Sequence, residues 1–137
     1  GAGLGLAGIA AARFAKDCTL TDQAAMVPNI QYNISQNRSV IGQTDDRRVI
    51  AKVLDWTVDS GEHFNSGSTQ VDVIIGADVV HEHWMAEAVC RMLRDYLCPC
   101  GVAFIMNPAA KSRAGVEEFQ RLLVEAGFHF SAVHFTD

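Results

Sequence analysis

The chain has 137 residues, of which 49% are hydrophobic and 20% charged, enough apolar material for one domain with a true core and too much for a disordered or collagen-like chain. Eleven Lys and Arg against sixteen Asp and Glu leave a net charge of -5, so no positive field is available for a phosphate backbone and nucleic acid is not an expected partner. Val71 to Val80 is broken by Asp72 and Asp78 and falls short of the roughly 20 residues of a membrane-spanning helix, so a soluble chain with no membrane partner is expected.

The chain opens on the glycine-rich GAGLGLAG, which feeds a run of small, helix-favouring residues and predicts a loop followed by a helix over Ala7 to Lys16. Cys18 to Asp22 carries β-branched threonines and ends in an acid, as a buried strand does. Met26, Ile30 and Ile34 fall near helical spacing, and Pro28 suits a first turn, which predicts a helix over Pro28 to Asn37. Arg48 to Trp56 alternates as a strand near a sheet edge. The polar stretch Thr57 to Gln70 reads as a surface loop.

Val71 to Ala77 is a near-continuous apolar run, expected to be a strand covered on both faces. Glu82 to Leu97 is an amphipathic helix with Met85, Val89, Met92, Leu93 and Leu97 inward, closed by a turn over Pro99 to Gly101. Gly101 to Asn107 reads as a further strand, Gly115 to Ala126 as a helix terminated by Gly127, and Phe128 to Phe135 as a last strand. Alternating β and α units of this length predict an α/β sheet of parallel strands with ligands at their carboxyl ends. A glycine-rich ligand loop needs a strand to launch it, and Gly1 already lies inside the loop. The expectation is a single partial domain over residues 1–137, missing its first strand and cut short after its last unit.

Four cysteines stand in a chain with too much core to need staples, so reduced thiols and a cytoplasmic setting are expected. Cys98-Pro99-Cys100 lacks the spacing of a zinc knuckle and reads as a turn. The apolar Leu4 to Ala12 has no basic region before it and is not a signal peptide. His81 and His83 flank Glu82, but positions two apart on a helix face different sides, so no metal is expected there.

Gly1, Gly3, Gly5 and Gly8 stand just before a helix, where a backbone free of Cβ atoms can approach a ligand and offer its N–H groups. Gly3 to Gly8 reads G-x-G-x-x-G, which fits a dinucleotide turn about as well as a nucleoside one, with a tight helix-sheet packing turn as the lesser alternative. Asp22 ends its strand where a carboxylate can accept both ribose hydroxyls. Asp55 and Trp56 end another, where an indole can stack on adenine and the acid can accept from its amine. Taken alone, a strand-end Trp is more often rim packing. Asp78 follows the Val71 to Ala77 strand and is also placed to cap the Glu82 helix.

GAGLGLAGIAAA, LTD, VPNIQYNI, VLDW and VDVIIGADVV, followed by NPAAKSRAGVEEF, resemble the class I S-adenosylmethionine-dependent methyltransferases and, within them, the seven-β-strand protein-lysine methyltransferases called methyltransferase family 16. The resemblance runs from Gly1 to about Gly127. It implies a Rossmann-like sheet with helices on both faces and S-adenosyl-L-methionine as cofactor. The methionine end would lie near Gly1 to Gly5, the ribose on Asp22, the adenine near Asp55 and Trp56, and Ala77 beside the cofactor. It further implies transfer of a methyl group to a lysine side chain of a protein substrate. An Asp-x-x-aromatic motif lines the lysine channel in that family, which gives Asp78 the role of orienting the amine. His81 stands here in place of the aromatic ring. An imidazole can pack on a lysine stem, but below its ordinary pKa of about 6.5 it carries a charge that repels an ammonium.

The acid that in the family precedes the first glycine by two positions is absent, and weak cofactor binding is expected without it. Asn107-Pro108 is similar to the signature of enzymes that methylate bases, but it follows the wrong strand and lacks the aromatic. Lys111, Arg113, Glu117 and Glu118 read as a solvated loop and helix start. Two rivals stand beside this reading: a nicotinamide-dependent oxidoreductase using Gly3, Gly5, Gly8 and Asp22, which lacks a recognisable hydride-transfer acid, and a non-catalytic cofactor-binding scaffold, which the His81 substitution keeps open.

Overall fold

The computed structural model of the chain describes residues 1–42, 48–57, 70–108 and 112–133. In chain order these form α1 (Leu6–Ala11), β1 (Asp17–Asp22), α2 (Val27–Gln36), α3 (Arg38–Ile41), β2 (Arg48–Val53), β3 (Val71–Ala77), α4 (His83–Tyr96), β4 (Leu97–Met106) and α5 (Gly115–Glu125). β1 pairs with β2 and β3 with β4, both in parallel. The expected α/β alternation with parallel strands is therefore present, but as two separate pairs among the described residues rather than one sheet. Each pair carries its own core. Ile9, Ala12, Leu20, Ile30 and Ile41 close over β1 and β2, and Val79, Val80, Ala86, Val89, Cys90, Leu93, Phe119 and Leu123 join α4 and α5 to the second pair. Each fully buried Leu or Ile contributes roughly 1.5–3 kcal/mol.

The glycine spacing is explained by Leu20. Gly5 takes the left-handed conformation at φ 88 to start α1, and Cβ atoms on Gly5 and Gly8 would approach the Leu20 side chain to 2.9 and 2.6 Å. Small residues thus bring the loop and α1 down onto β1.

Several boundaries differ from the sequence reading. α1 stops at Ala11 rather than Lys16, because Lys16 already serves the sheet, its carbonyl accepting from the Arg48 amide at 2.8 Å. The strand expected to reach Trp56 ends at Val53. Its last ladder bond runs from the Leu54 amide to the Asp22 carbonyl, and the Asp55 side chain then turns the chain by accepting from the Thr57 amide. Pro99 to Gly101 is not a turn but part of β4. Leu97 pairs with Val71 and Val102 with Val73, so the extra residues bulge within the ladder.

β3 is covered on one face only: Val73 and Ile75 are about half exposed, alongside Val102 and Phe104 of β4, because no described element packs there. Phe128 to Val133 forms no strand, having no described neighbour to pair with, and residues 134–137 of that expected element lie outside the described residues. The loop expected over Thr57 to Gln70 falls outside them as well, except at its ends. Helices α2, α4 and α5 match their predicted spans to within one residue at either end, and Gly127 ends α5 at φ 80. Among the described residues no helix is long and apolar enough to cross a membrane.

Gly8→Val should lower stability by about 1–3 kcal/mol through overpacking against Leu20. The check is a urea titration, in which the midpoint falls while the slope stays unchanged.

Candidate functional site

Parallel pairing puts the carboxyl ends of the two strands of each pair in one direction, and the ends of β1, β2 and β3 carry Asp22, Asp55, Trp56, Asp78 and His81. Asp22, the last residue of β1, uses both carboxylate oxygens. Oδ2 accepts from the Gly3 amide at 2.7 Å and Oδ1 from the Gln23 amide at 2.8 Å. With the Ala2 amide donating to the Thr21 carbonyl at 2.8 Å, the loop is laced to the end of β1. Each Asp22 oxygen keeps a further lone pair. Gly3 holds φ 57, and among the described residues a Cβ there would meet nothing within 4 Å, so the loop offers an open face.

Trp56 lies just past β2 and turns back over the loop. A Cβ on Gly1 would fall 2.7 Å from the indole Cη2 and 3.5 Å from a Val79 methyl, so Gly1, Trp56 and Val79 meet at one point. Arg91 of α4 donates to the Trp56 carbonyl at 2.6 Å, which ties this segment to the second half of the molecule. The indole also packs on the α4–α5 core. Beside it, Asp55 accepts from the Thr57 amide and hydroxyl at 2.9 and 2.7 Å. These bonds hold its carboxyl below the usual range.

Asp78 follows Ala77 at the end of β3 and sits at φ 53, the left-handed region that non-glycine residues rarely occupy. Its amide donates to the Met106 carbonyl at 2.7 Å. It does not cap α4, whose N-cap is Glu82 with no side-chain bond. Its carboxylate is gripped by Arg113, Nε donating to Oδ1 at 3.0 Å and Nη2 to Oδ2 at 2.8 Å. Hydrogen bonding from Arg113 holds the carboxyl below its ordinary value. His81 Nε2 lies 2.6 Å from the Asp78 carbonyl and 3.2 Å from Oδ1. A carbonyl only accepts, so Nε2 carries the proton and Nδ1 of a neutral ring is left as an acceptor.

Arg113, read from the sequence as a solvated loop residue, is thus a partner of Asp78 across 35 positions. Lys111 lies outside the described residues. Three further supports were also missed. Asn107 Oδ1 accepts from the Val80 amide at 3.2 Å. The Gly115 amide donates to the His81 carbonyl at 3.2 Å, and a Cβ on Gly115 would fall on the Glu82 backbone. Arg91 holds the Trp56 segment. The signal available for Arg113 was its position after a strand end, opposite an acid after the neighbouring strand. Asn107-Pro108, weighed as a base-methylation signature, supports the β3–α4 turn instead.

The family model described as "Lysine methyltransferase" matches residues 1–125. Over 98 residues, 72% of this chain, it is 35% identical to the "Protein-lysine methyltransferase METTL21E" of Bos taurus, covering 32% of that protein. It is 34% identical over 131 residues, 94% of this chain, to the "EEF1A lysine methyltransferase 3" of Mus musculus, covering 51% of it. It is 31% identical over 135 residues, 93% of this chain, to the "Protein-lysine N-methyltransferase rrg1" of Schizosaccharomyces pombe, covering 43% of it. The chain therefore spans between about a third and half the length of these relatives.

The grip of Arg113 predicts that the Asp78 carboxyl titrates below the ordinary Asp value of about 3.9 in the folded protein. The folded value is the lower one, so its stabilising effect is present above the unfolded value and lost as pH falls through the folded one. Carbon-13 carboxyl spectra should place the midpoint below 3.9 and show it rising in Arg113→Gln.

Proposed function

From the premise that the chain belongs to the lysine methyltransferase family, we propose that it takes S-adenosyl-L-methionine as methyl donor and transfers the methyl group to a lysine side chain of a protein substrate. The observation that carries this reading is the convergence of the Gly1 to Gly5 loop, Asp22, Trp56 and Asp78 at the carboxyl ends of the parallel strands. A further parallel strand between the two pairs would join them into the single Rossmann-like sheet of the class I fold, with residues 1–137 in one domain. The four unpaired thiols of Cys18, Cys90, Cys98 and Cys100 support a reducing, cytoplasmic setting.

The residues present fit the cofactor. The open face at Gly3 leaves room for a ligand against the loop, and the spare lone pairs of Asp22 suit ribose hydroxyls. Asp55 and the Trp56 indole would flank the adenine and Ala77 the methionine end. Gly1 seats the indole and Gly5 faces Leu20, so these two glycines shape the loop rather than line the methionine end expected of them. When bound, the cofactor supplies an electrophilic methyl on a sulfonium. The chain's part is to align the nucleophile with that methyl, which accounts for most of the acceleration in an in-line displacement, and to keep water out. Asp78, held ionised by Arg113, would orient the target amine and meet its charge. Its depressed pKa makes it a poor base, so the lysine ammonium gives its proton to solvent before the amine lone pair attacks the methyl, and Asp78 meets the charge of the methylammonium that forms. His81, with Nε2 tied to the Asp78 carbonyl, presents an imidazole against the lysine stem where the family's aromatic ring would stand.

The test is transfer of labelled methyl from S-adenosylmethionine to proteins by the full-length protein, with the modified residue located by mass spectrometry. Label on lysine is expected, and Asp78→Asn should cut turnover roughly tenfold or more, the effect of losing a charged hydrogen bond. His81→Tyr should raise it. Cofactor binding with no transfer by either form would replace the enzyme with the scaffold reading.

A further inference from the structure

The strongest unassigned feature of the site is the fork of Arg113 on Asp78. The pair is partly exposed, Arg113 at 31% and Asp78 at 45% of their side chains, so no buried charge requires it, and exposed pairs of this kind add little to stability. Yet its geometry is bidentate, with both carboxylate oxygens taken. The carboxylate is also set in place by its backbone. Asp78 is fixed at φ 53, with its amide on Met106 and its carbonyl on His81. Arg113 in turn stands two residues before Gly115, whose amide is bound to the His81 carbonyl. The guanidinium is thus delivered to Asp78 by the same contact that seats α5 on the β3–α4 turn. A guanidinium and a lysine ammonium carry the same charge and seek the same acceptor.

We propose that Arg113 is a positioning residue that occupies the Asp78 carboxylate as an internal stand-in for the substrate cation, and that the target lysine enters by displacing it. The proposal rests on the reading of Asp78 as the group that meets the target amine. In the resting site the pair is neutral, so a passing cation gains nothing from the carboxylate until it replaces the guanidinium. His81 is the other titratable group on the carboxylate, 3.2 Å from Oδ1, and its proton on Nε2 strengthens the same hold. A lysine presented by a docked protein has the local concentration to win this exchange, whereas a free amine displaces the guanidinium only at a far higher concentration. The fork therefore acts as a selectivity element against free amines.

The test uses the full-length protein and n-butylammonium as the probe, with and without S-adenosylhomocysteine, followed by nitrogen-15 spectra of the arginine side chains. The Arg113 Nε–H resonance should move as the probe binds. Arg113→Gln should bind the probe up to roughly fivefold more tightly, the range open to an exposed ion pair. Arg113→Lys, which keeps the charge without the fork, should restore most of the unsubstituted affinity. A purely structural role would weaken binding in both variants. The proposal is overturned by a probe that binds without moving the Arg113 resonance, by equal or weaker binding in Arg113→Gln, or by no binding to any form. Should Arg113→Gln fail to fold, the Arg113 resonance and Arg113→Lys decide alone. Failure of S-adenosylhomocysteine to bind, with the probe still displacing Arg113, counts against the cofactor reading and leaves the stand-in intact.

Discussion

The Trp56 indole lies where a side chain on Gly1 would be, and the arrangement of the site depends on that seat. Trp56 follows the first strand pair, yet it packs on the core of the second, which includes Val79 beyond β3, and has its carbonyl held by Arg91 of α4. Among the described residues the two pairs share no ladder hydrogen bonds. Their registration at the carboxyl ends therefore relies on side-chain contacts such as this one. Without a glycine at the first position the indole has no place to lie, and the loop, the aromatic ring and the turn after β3 lose their common meeting point.

The charges at the two ends of the site are handled differently. Asp22 is held by the backbone amides of Gly3 and Gln23 and fixes a loop. Asp78 is satisfied by a guanidinium, which neutralises it and holds it ionised. Methyl transfer from a sulfonium requires an aligned amine more than a strong base, and a carboxylate with a depressed pKa suits the first task and not the second. The two carboxylates thus divide anchoring from substrate orientation, and each is set by the backbone at a strand end.

Elements set by local periodicity were legible in the sequence. The predicted helices correspond to α2, α4 and α5 and the predicted runs to β1 and β3, because burial of one helical face or a short apolar run leaves a direct trace in residue order. What depends on distant partners was not. Arg113 meets Asp78 across 35 positions, and nothing in a local window marks that pairing. The stretch Pro99 to Gly101 carries strong turn signals, yet pairing with β3 draws it into a bulged strand, tertiary context overriding local preference. The extended pattern from Phe128 onward is that of a strand, but a strand exists only where a neighbour supplies its hydrogen bonds. Of the candidate site, the glycine loop, Asp22, Trp56 and Asp78 were legible as strand-end residues, while the groups that hold them, Arg91, Asn107, Arg113 and Gly115, were not.

The central claim is that these strand-end segments form a nucleoside cofactor site of the methyltransferase kind. Calorimetric titration of the full-length protein with S-adenosylhomocysteine and, separately, NAD tests it most directly, with Asp22→Ala as the control. Saturable binding of S-adenosylhomocysteine, weakened roughly tenfold or more in the variant by loss of charged hydrogen bonds, is the predicted result. Binding of NAD alone, or binding of S-adenosylhomocysteine that is indifferent to Asp22, would contradict the account.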